Sequence, residues 1–439
     1  MKFFQNILVF ILIMTTVFQS VRSQNKNSLS LEAAIELALI KNSDVIIAKN
    51  QLSSSEFAVK EAYGNFLPKL SLNASYNRNL DNQVIFLPTT IGGSSATEIG
   101  SDNDYRAALN LNIPIFYNYN FANKKLSETQ RDFINETKRG VQQSVINGTK
   151  KAYFNYLIIQ EVVLVQQNSL ANALDILEDI KKRLTLGTVT EYDVTSAKVQ
   201  VANAKTNLLE AQSNLLPAEN NLKLITGINS EENIILTEDI QLLDEEITIQ
   251  NGIETMLEDN SRLKQLELDI ERNDKQINLT KSAYYPTVDA IGNFVYQAQS
   301  DDFDINDYYW INTSLVGLQV QFSIFNGTIT SNRVQQAKIN KENAKVEKDY
   351  TTREYKMNYE ELVSQLDFSK QRVMVQEDNM NLTEEALALS RKRYDLGVGT
   401  FLEVNDAELQ YTQARLSWLQ AISNYKSAFY DYQLLIGKE

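Results

Sequence analysis

The 439-residue sequence contains no cysteine and no histidine. Their absence excludes disulfides, thiol nucleophiles, imidazole acid–base catalysis, most zinc-binding sets and a lipid-anchored N-terminal cysteine. Glycine and proline are scarce, at 15 and 5 residues, well below ordinary usage of about 7% and 5%. No proline falls between Pro114 and Pro217, and none follows Pro286. Turn-formers are therefore rare and the elements must be long, so the chain does not read as the roughly three ordinary domains its length would suggest. No Gly-rich phosphate loop or nucleophile motif is present, and no catalytic, metal or cofactor site is expected. Acidic residues outnumber basic ones, 56 to 42, for a net charge of −14, which speaks against nucleic acid as a partner.

The first 23 residues have the pattern of a secretory leader. Lys2 supplies the positive start, Ile7 to Val17 the apolar run, and Val21-Arg22-Ser23 the cleavage site. That run falls short of the ~20 residues a spanning helix needs. No other stretch is long and apolar enough to span as a helix. Removing Lys2 and Arg22 with the leader leaves a net charge of −16.

What the chain does contain is two copies of one long unit. Sliding the sequence by 210 positions lays Arg183-Leu-Thr-Leu-Gly187-Thr-Val-Thr190 on Arg393-Tyr-Asp-Leu-Gly397-Val-Gly-Thr400. The match continues without a gap through Val194/Val404, Ala197/Ala407, Ala204/Ala414, Ala211/Ala421 and Gly227/Gly437. A repeat of this kind is read before any local motif. The expected organisation is a leader over 1–23, a first repeat over 24–228, an acidic connection over 229–250 and a second repeat over 251–439. Glu231 to Asp259 holds ten acidic residues and no Lys or Arg, which marks a surface join with short elements.

Each copy has the same order. A helical lead-in, Ser30 to Phe66 or Asn251 to about Tyr284, is broken at Asn42-Ser43 or Asn260-Ser261 and stopped by Pro68 or Pro286. The periodicity then changes from 3.6 to 2. Leu70, Leu72, Ala74 and Tyr76 alternate with Ser71, Asn73, Ser75 and Asn77, and Leu109, Leu111, Ile113 and Ile115 alternate with Asn110, Asn112 and Pro114. In the second copy Val288, Ala290, Gly292, Phe294 and Tyr296 form one strand and Leu318, Val320, Phe322 and Ile324 the next. Such strands fit a sheet between lipid and a wet lumen, and they also fit a half-buried soluble hairpin. The joining loops, Leu80 to Asp104 and Gln299 to Asn306, are polar, and Asp301-Asp-Phe-Asp304 matches no calcium loop.

Each second strand leads into the longest elements, Phe116 to Gly187 and Phe325 to Gly397, which turn at the glycine and return as helices to Gly227 and Gly437. Pro217 is expected to bend the first return helix. Leu366, Val373, Met380, Leu387 and Tyr394 recur every seven residues, as do Phe368, Val375, Leu382, Leu389 and Leu396. The two stripes lie about 200° apart on a helix. A helix with seams on both flanks has a neighbour on each side, like a stave in a wall. In the first copy Tyr156, Val163, Leu170, Leu177 and Leu184 repeat one stripe, and Ile158, Val165, Asn172, Asp179 and Leu186 form a weaker second one. Four strands cannot close a membrane barrel, whose smallest closures have about eight, and open edges are not tolerated in lipid. Three copies would supply twelve strands and twelve staves.

The Pro-stopped lead-ins, the passages Leu111-Asn-Ile-Pro-Ile-Phe116 and Val320-Gln-Phe-Ser-Ile-Phe325, and the twice-occurring Arg-x-x-x-Gly-x-x-Thr-x-x-Asp/Glu-Val tips resemble the TolC family of outer-membrane efflux channels over essentially the whole mature chain. The resemblance implies an α+β membrane protein: long α-helical hairpins form a periplasmic α-barrel, and four β-strands per chain contribute to a trimeric 12-stranded outer-membrane β-barrel. It implies a homotrimer in the outer membrane of a Gram-negative cell, in contact with outer-membrane lipid. It also implies a periplasmic adaptor (membrane fusion) protein and an inner-membrane pump of RND or ABC type, with no cofactor and no catalysis in the channel itself.

By motif position Glu403 and Asp406 match acidic rings that narrow the tunnel. Asp193 matches a residue that ties hairpins shut through a basic partner, and Tyr394 matches a gate aromatic. The chain departs at Gly399, where a basic residue would complete the tie. Arg183, Leu186, Gly187, Thr190, Arg393, Leu396, Gly397 and Thr400 stand at the hairpin tips that an adaptor would meet. The expected function is a passive exit duct for efflux or type I secretion, carrying small molecules or secreted protein. A periplasmic or cell-surface coiled-coil scaffold shares the heptads but does not require the alternating strands.

Overall fold

The structure, a computed structural model, describes residues 28–86, 96–240 and 252–438. The expected leader over 1–23, part of the first strand-joining loop and the later part of the acidic connection lie outside them. In chain order the elements are β1 (Ser28–Leu29), α1 (Leu31–Lys41), α2 (Ser43–Gly64), β2 (Lys69–Arg78), β3 (Gln83–Ile85), β4 (Thr97–Ile99), β5 (Asn103–Tyr117), α3 (Asn118–Thr185), α4 (Glu191–Thr226), β6 (Ile235–Leu236), α5 (Gly252–Asp259), α6 (Ser261–Lys281), β7 (Thr287–Ser300), β8 (Ile311–Gln321), α7 (Ile329–Asp395) and α8 (Phe401–Leu435). The chain divides into two compact units, each drawing on both repeats. One takes the described parts of 1–49, 137–264 and 350–439, the other those of 50–136 and 265–349.

The second unit carries a four-stranded antiparallel sheet in the order β2-β5-β7-β8. Its register puts the expected apolar residues side by side: Leu70 opposite Leu111, Leu72 opposite Leu109, Leu109 opposite Phe294, and Ala290 opposite Leu318. Apart from the half-buried Ala290 these side chains stay open, Leu318 at 72%. On the other face Asn293 donates to Asn110 Oδ1 at 2.6 Å. Near the loop end of the sheet the aromatics gather: Tyr76 lies 4.8 Å from Tyr105, and Tyr296 stacks on Trp310 at 4.8 Å. An exposed apolar band edged by aromatic rings is the signature of a lipid-facing sheet. Among the described residues no helix is long and apolar enough to cross a membrane.

Several expected boundaries move. The last strand begins earlier, at Ile311, and ends at Gln321, so Phe322 and Ile324 lie beyond it. The second long helix begins at Ile329, not Phe325. The cause is Asn326-Gly327-Thr328, where Gly327 and Thr328 both take φ +66°, interrupting strand and helix alike. In the first copy β5 passes straight into α3, with a bulge between Pro114 and Phe116. Pro217 lies inside α4, which runs unbroken through it.

In the first unit the staves are visible. Tyr156 joins Ala218 and Leu222 of α4 in one buried cluster, while Ile158 and Val165 join Leu366 and Val373 of α7 and Leu419 and Ile422 of α8 in another. So α3 is covered on both flanks. Each return helix buries an alanine at every seventh position: Ala197, Ala204, Ala211 and Ala218 in α4, and Ala407, Ala414, Ala421 and Ala428 in α8. Small side chains let helix axes approach closely. α7 is covered on one flank only. Val373 is 0% exposed, whereas Phe368, Val375, Leu382 and Leu389 on the opposite stripe are 56–67% exposed. On α4 the side chains of Val199, Leu209, Leu216 and Leu224 are likewise open.

The repeat also reproduces a joint. Asn42 accepts from Asp44 N at 2.9 Å, capping α2, and donates to Ile225 O at 3.0 Å. Its counterpart Asn260 accepts from Arg262 N and Leu263 N at 2.9 and 3.1 Å and donates to Leu435 O at 2.8 Å. One amide thus starts an outgoing helix and holds the end of a returning one. Beside each joint stands a glycine of positive φ, Gly227 at +66° and Gly437 at +76°. A Cβ there would meet Lys41 Cβ at 2.6 Å or Asp259 O at 2.5 Å, so only glycine fits. Asn260→Ala is expected to lower stability by about 1–2 kcal/mol, from the lost cap and the lost bond to Leu435 O. Thermal unfolding should show a larger drop there than for the less buried Asn42→Ala.

Candidate functional site: the hairpin tips

At the tips each long helix ends by winding onto a left-handed glycine, Gly187 at φ +73° and Gly397 at +75°. Gly187 N bonds to Leu184 O and Thr188 N to Arg183 O, and Gly397 N and Val398 N make the equivalent bonds to Tyr394 O and Arg393 O. Thr190 and Thr400 then cap the return helices. Thr190 Oγ1 accepts from Asp193 N at 3.3 Å, and Thr190 N donates back to Asp193 Oδ2 at 2.8 Å, a reciprocal capping box. These backbone and hydroxyl donors hold the Asp193 carboxyl below its ordinary range. In the second copy Thr400 Oγ1 accepts from Glu403 N at 3.3 Å, and Glu403 lies 3.7 Å from Arg393. Leu186 and Leu396, next to the two glycines, are strongly exposed.

Under the tips the two hairpins meet in a buried cluster of Ile180, Val194, Ala197, Tyr394, Phe401 and Val404. A polar knot lies at its side. Arg183 Nε donates to Asp179 Oδ2 at 2.7 Å, Tyr394 OH donates to the same oxygen at 3.0 Å, and the Arg183 guanidinium lies 4.2 Å from the Tyr394 ring centroid. One carboxylate thus gathers a cation from α3 and a hydroxyl from α7, with cation–π attraction closing the triangle. Burial first, and then the bond to Asp179, push the Tyr394 phenol from 10.0 up to about 12. The same carboxylate raises Arg183 above its usual value.

The sequence-singled residues therefore separate. Arg183 and Tyr394 come together. Asp193 and Thr190 are engaged within their own helix start, and Glu403 and Asp406 lie exposed near the beginning of α8. At Gly399 a Cβ would stand 3.0 Å from Tyr394 N and 3.1 Å from Arg393 Cβ, so a basic side chain there would press on the turn. The cation over Tyr394 comes from Arg183 of the first hairpin. Asp179 escaped the motif reading, although its signal was in the sequence: an acidic residue interrupting an apolar heptad stripe, four residues before an arginine. Among the described residues no group of three or more acidic side chains could hold a metal ion.

With this geometry in hand, comparison with known proteins decides the family. The sequence pattern of the outer membrane efflux protein family matches residues 34–228 and again 252–438, once per repeat. The chain belongs to that family. It is similar to outer membrane protein TolC of Escherichia coli K12, with 24% identity over 385 residues, 84% of this chain and 74% of TolC. Among solved structures it is similar to outer membrane protein VceC of Vibrio cholerae, with a TM-score of 0.74 at 18% identity over 93% of this chain and 96% of VceC. The CmeC outer membrane channel of Campylobacter jejuni gives a TM-score of 0.75 at 18% identity, covering 93% and 85%. The fold class is the α+β one expected, with helical hairpins, barrel strands and an internal repeat. The chain is an outer-membrane efflux duct that extends into the periplasm, in a family of channels.

Ionising Tyr394 removes its donated proton from Asp179 and places a second negative charge beside it. Because its folded value of about 12 exceeds the unfolded 10.0, the stabilisation is complete below pH 10 and is lost as pH rises through 12. Tyrosinate absorbance should show a late-titrating phase to which Tyr394 and Tyr432 both contribute, and Tyr394→Phe should remove the Tyr394 part of it. That variant should cost about 1 kcal/mol.

Proposed function

We propose that the chain works as a homotrimeric passive duct whose periplasmic end is held closed by the hairpin tips. The observation that carries this reading is the pair of uncovered outer flanks: the Phe368-Val375-Leu382-Leu389 stripe of α7 and the Val199-Leu209-Leu216 side of α4. A like copy supplies each with the other, and within the sheet the edge strand β8 likewise finds its partner in the β2 of a like copy. Twelve strands then close, which four cannot. The chain is organised as a leader over 1–23, a first repeat over 24–228, an acidic connection over 229–250 and a second repeat over 251–439.

A periplasmic adaptor meets the tips at Arg183, Leu186, Gly187 and Thr190 and at Arg393, Leu396, Gly397 and Thr400. An RND or ABC pump in the inner membrane supplies the energy, and the duct itself performs no chemistry. Small molecules or secreted protein pass through. Glu403 and Asp406, three residues apart on one face of α8, form rings of like charge that favour cations at the constriction. Asp193 shapes the first tip, and Tyr394 ties the second hairpin to the first. A coiled-coil scaffold without a pore would leave the open apolar band of the strands unexplained.

Purified protein in a planar bilayer should conduct, and Glu403→Ala with Asp406→Ala should raise conductance and weaken cation preference. Insertion without current at any voltage, even in that double variant, would remove the duct reading. Leu382→Glu with Leu389→Glu should dissociate the trimer, since each buried leucine contributes ~1.5–3 kcal/mol. Light scattering in detergent would reveal the change in mass, and an unchanged trimer would place the seam elsewhere.

A further inference from the structure

Two polar residues interrupt the flank of α3 that faces the second hairpin. Asp179 belongs to the tip knot. Asn172, one heptad away, does not. Asn172 Nδ2 donates to Glu408 Oε1 at 2.8 Å, and Arg391 Nη2 donates to Glu408 Oε2 at 2.7 Å. The Glu408 side chain is only 12% exposed. Each carboxylate oxygen therefore takes one donor, from α3 of the first hairpin and from α7 of the second, while Glu408 itself stands on α8.

The apolar seam is thin at this level. A cavity of about 380 Å³ opens beside Glu408, lined among others by Ala173, Ala197, Ala204, Phe401 and Asn405. Where small side chains leave space, dispersion contacts contribute less. A buried carboxylate with two fixed donors is costly to strip of either, and such pairs specify register more than they add stability. Sliding or separating the hairpins strips this one.

We propose that Glu408 is a second lock between the hairpins, a positioning residue in series with the Asp179–Arg183–Tyr394 knot, so that opening the duct requires both to part. The inference rests on the reading that the hairpins move apart to open.

The test uses the purified full-length trimer in planar bilayers, with single-channel open probability and thermal unfolding read together. Glu408→Gln keeps the shape and removes the charge. It should raise open probability about tenfold with the melting temperature of the trimer unchanged. Glu408→Lys should open the channel further. The charge-reversed pair Arg391→Glu with Glu408→Lys should return open probability to that of the unmodified protein, because the Asn172 amide can also present its oxygen to a cation.

If Tyr394→Phe opens the channel and Glu408→Gln does not, the second lock is overturned and the gate reading stands. If neither variant alters a conducting channel, the gate reading fails and takes this inference with it. Should Glu408→Gln lower the melting temperature without altering open probability, the residue is merely structural and the proposal is lost. Should the single variants fail to assemble, the reversed pair decides: a trimer that opens as rarely as the unmodified protein supports the lock, and one that stays open refutes it.

Discussion

A helix with apolar stripes on opposite flanks cannot be satisfied by one neighbour, and the architecture follows from that constraint. Burying a single stripe leaves the other in water, at about 25 cal/mol for each Å² of apolar surface. The remedy is lateral: helix beside helix, each covering the next. Within one subunit α3 attains this state, with Tyr156 committed to α4 and Ile158 and Val165 to the second hairpin. The outer flanks of α4 and α7 do not. On the trimeric reading the requirement is passed outward from helix to helix and met by another chain, and the four-stranded sheet repeats the condition in hydrogen bonds.

Polar residues placed in such seams have a second task. Apolar stripes that recur every seven residues fit equally well after a slip of seven. Asn172 and Asp179 break that degeneracy, because each finds its partner in one register only: Glu408 for the first, Tyr394 for the second. The corresponding stripe of the second copy, Phe368 to Leu396, has no polar interruption. The repeat has thus diverged where its copies face different neighbours, and the polar marks lie on the copy that faces another part of the same chain.

Much of this was legible in the sequence. The 210-residue shift announced the duplication, and Pro68 and Pro286 marked where helix yields to strand. Asn42 and Asn260 were correctly placed as breaks, but the second half of their role, the bond to Ile225 O or Leu435 O, joins residues about 180 positions apart, which no local pattern reports. The end of the last strand was missed because Phe322 and Ile324 continue the alternation by side chain while Asn326-Gly327-Thr328 turns the backbone. At the tips, motif matching singled out Arg183 and Tyr394 for separate roles and passed over the carboxylate that joins them. Asp179 was visible only as a flaw in a stripe, and a flaw becomes informative once its partner is known.

The edges of the sheet carry a consequence for the life of the protein before it reaches the bilayer. β2 and β8 each present a row of backbone donors and acceptors beside apolar side chains, and lipid offers such groups no substitute for water. A solitary subunit has no comfortable residence in either medium. On the trimeric reading, closing the barrel and joining the subunits are the same act, since each pairs β8 of one copy with β2 of the next.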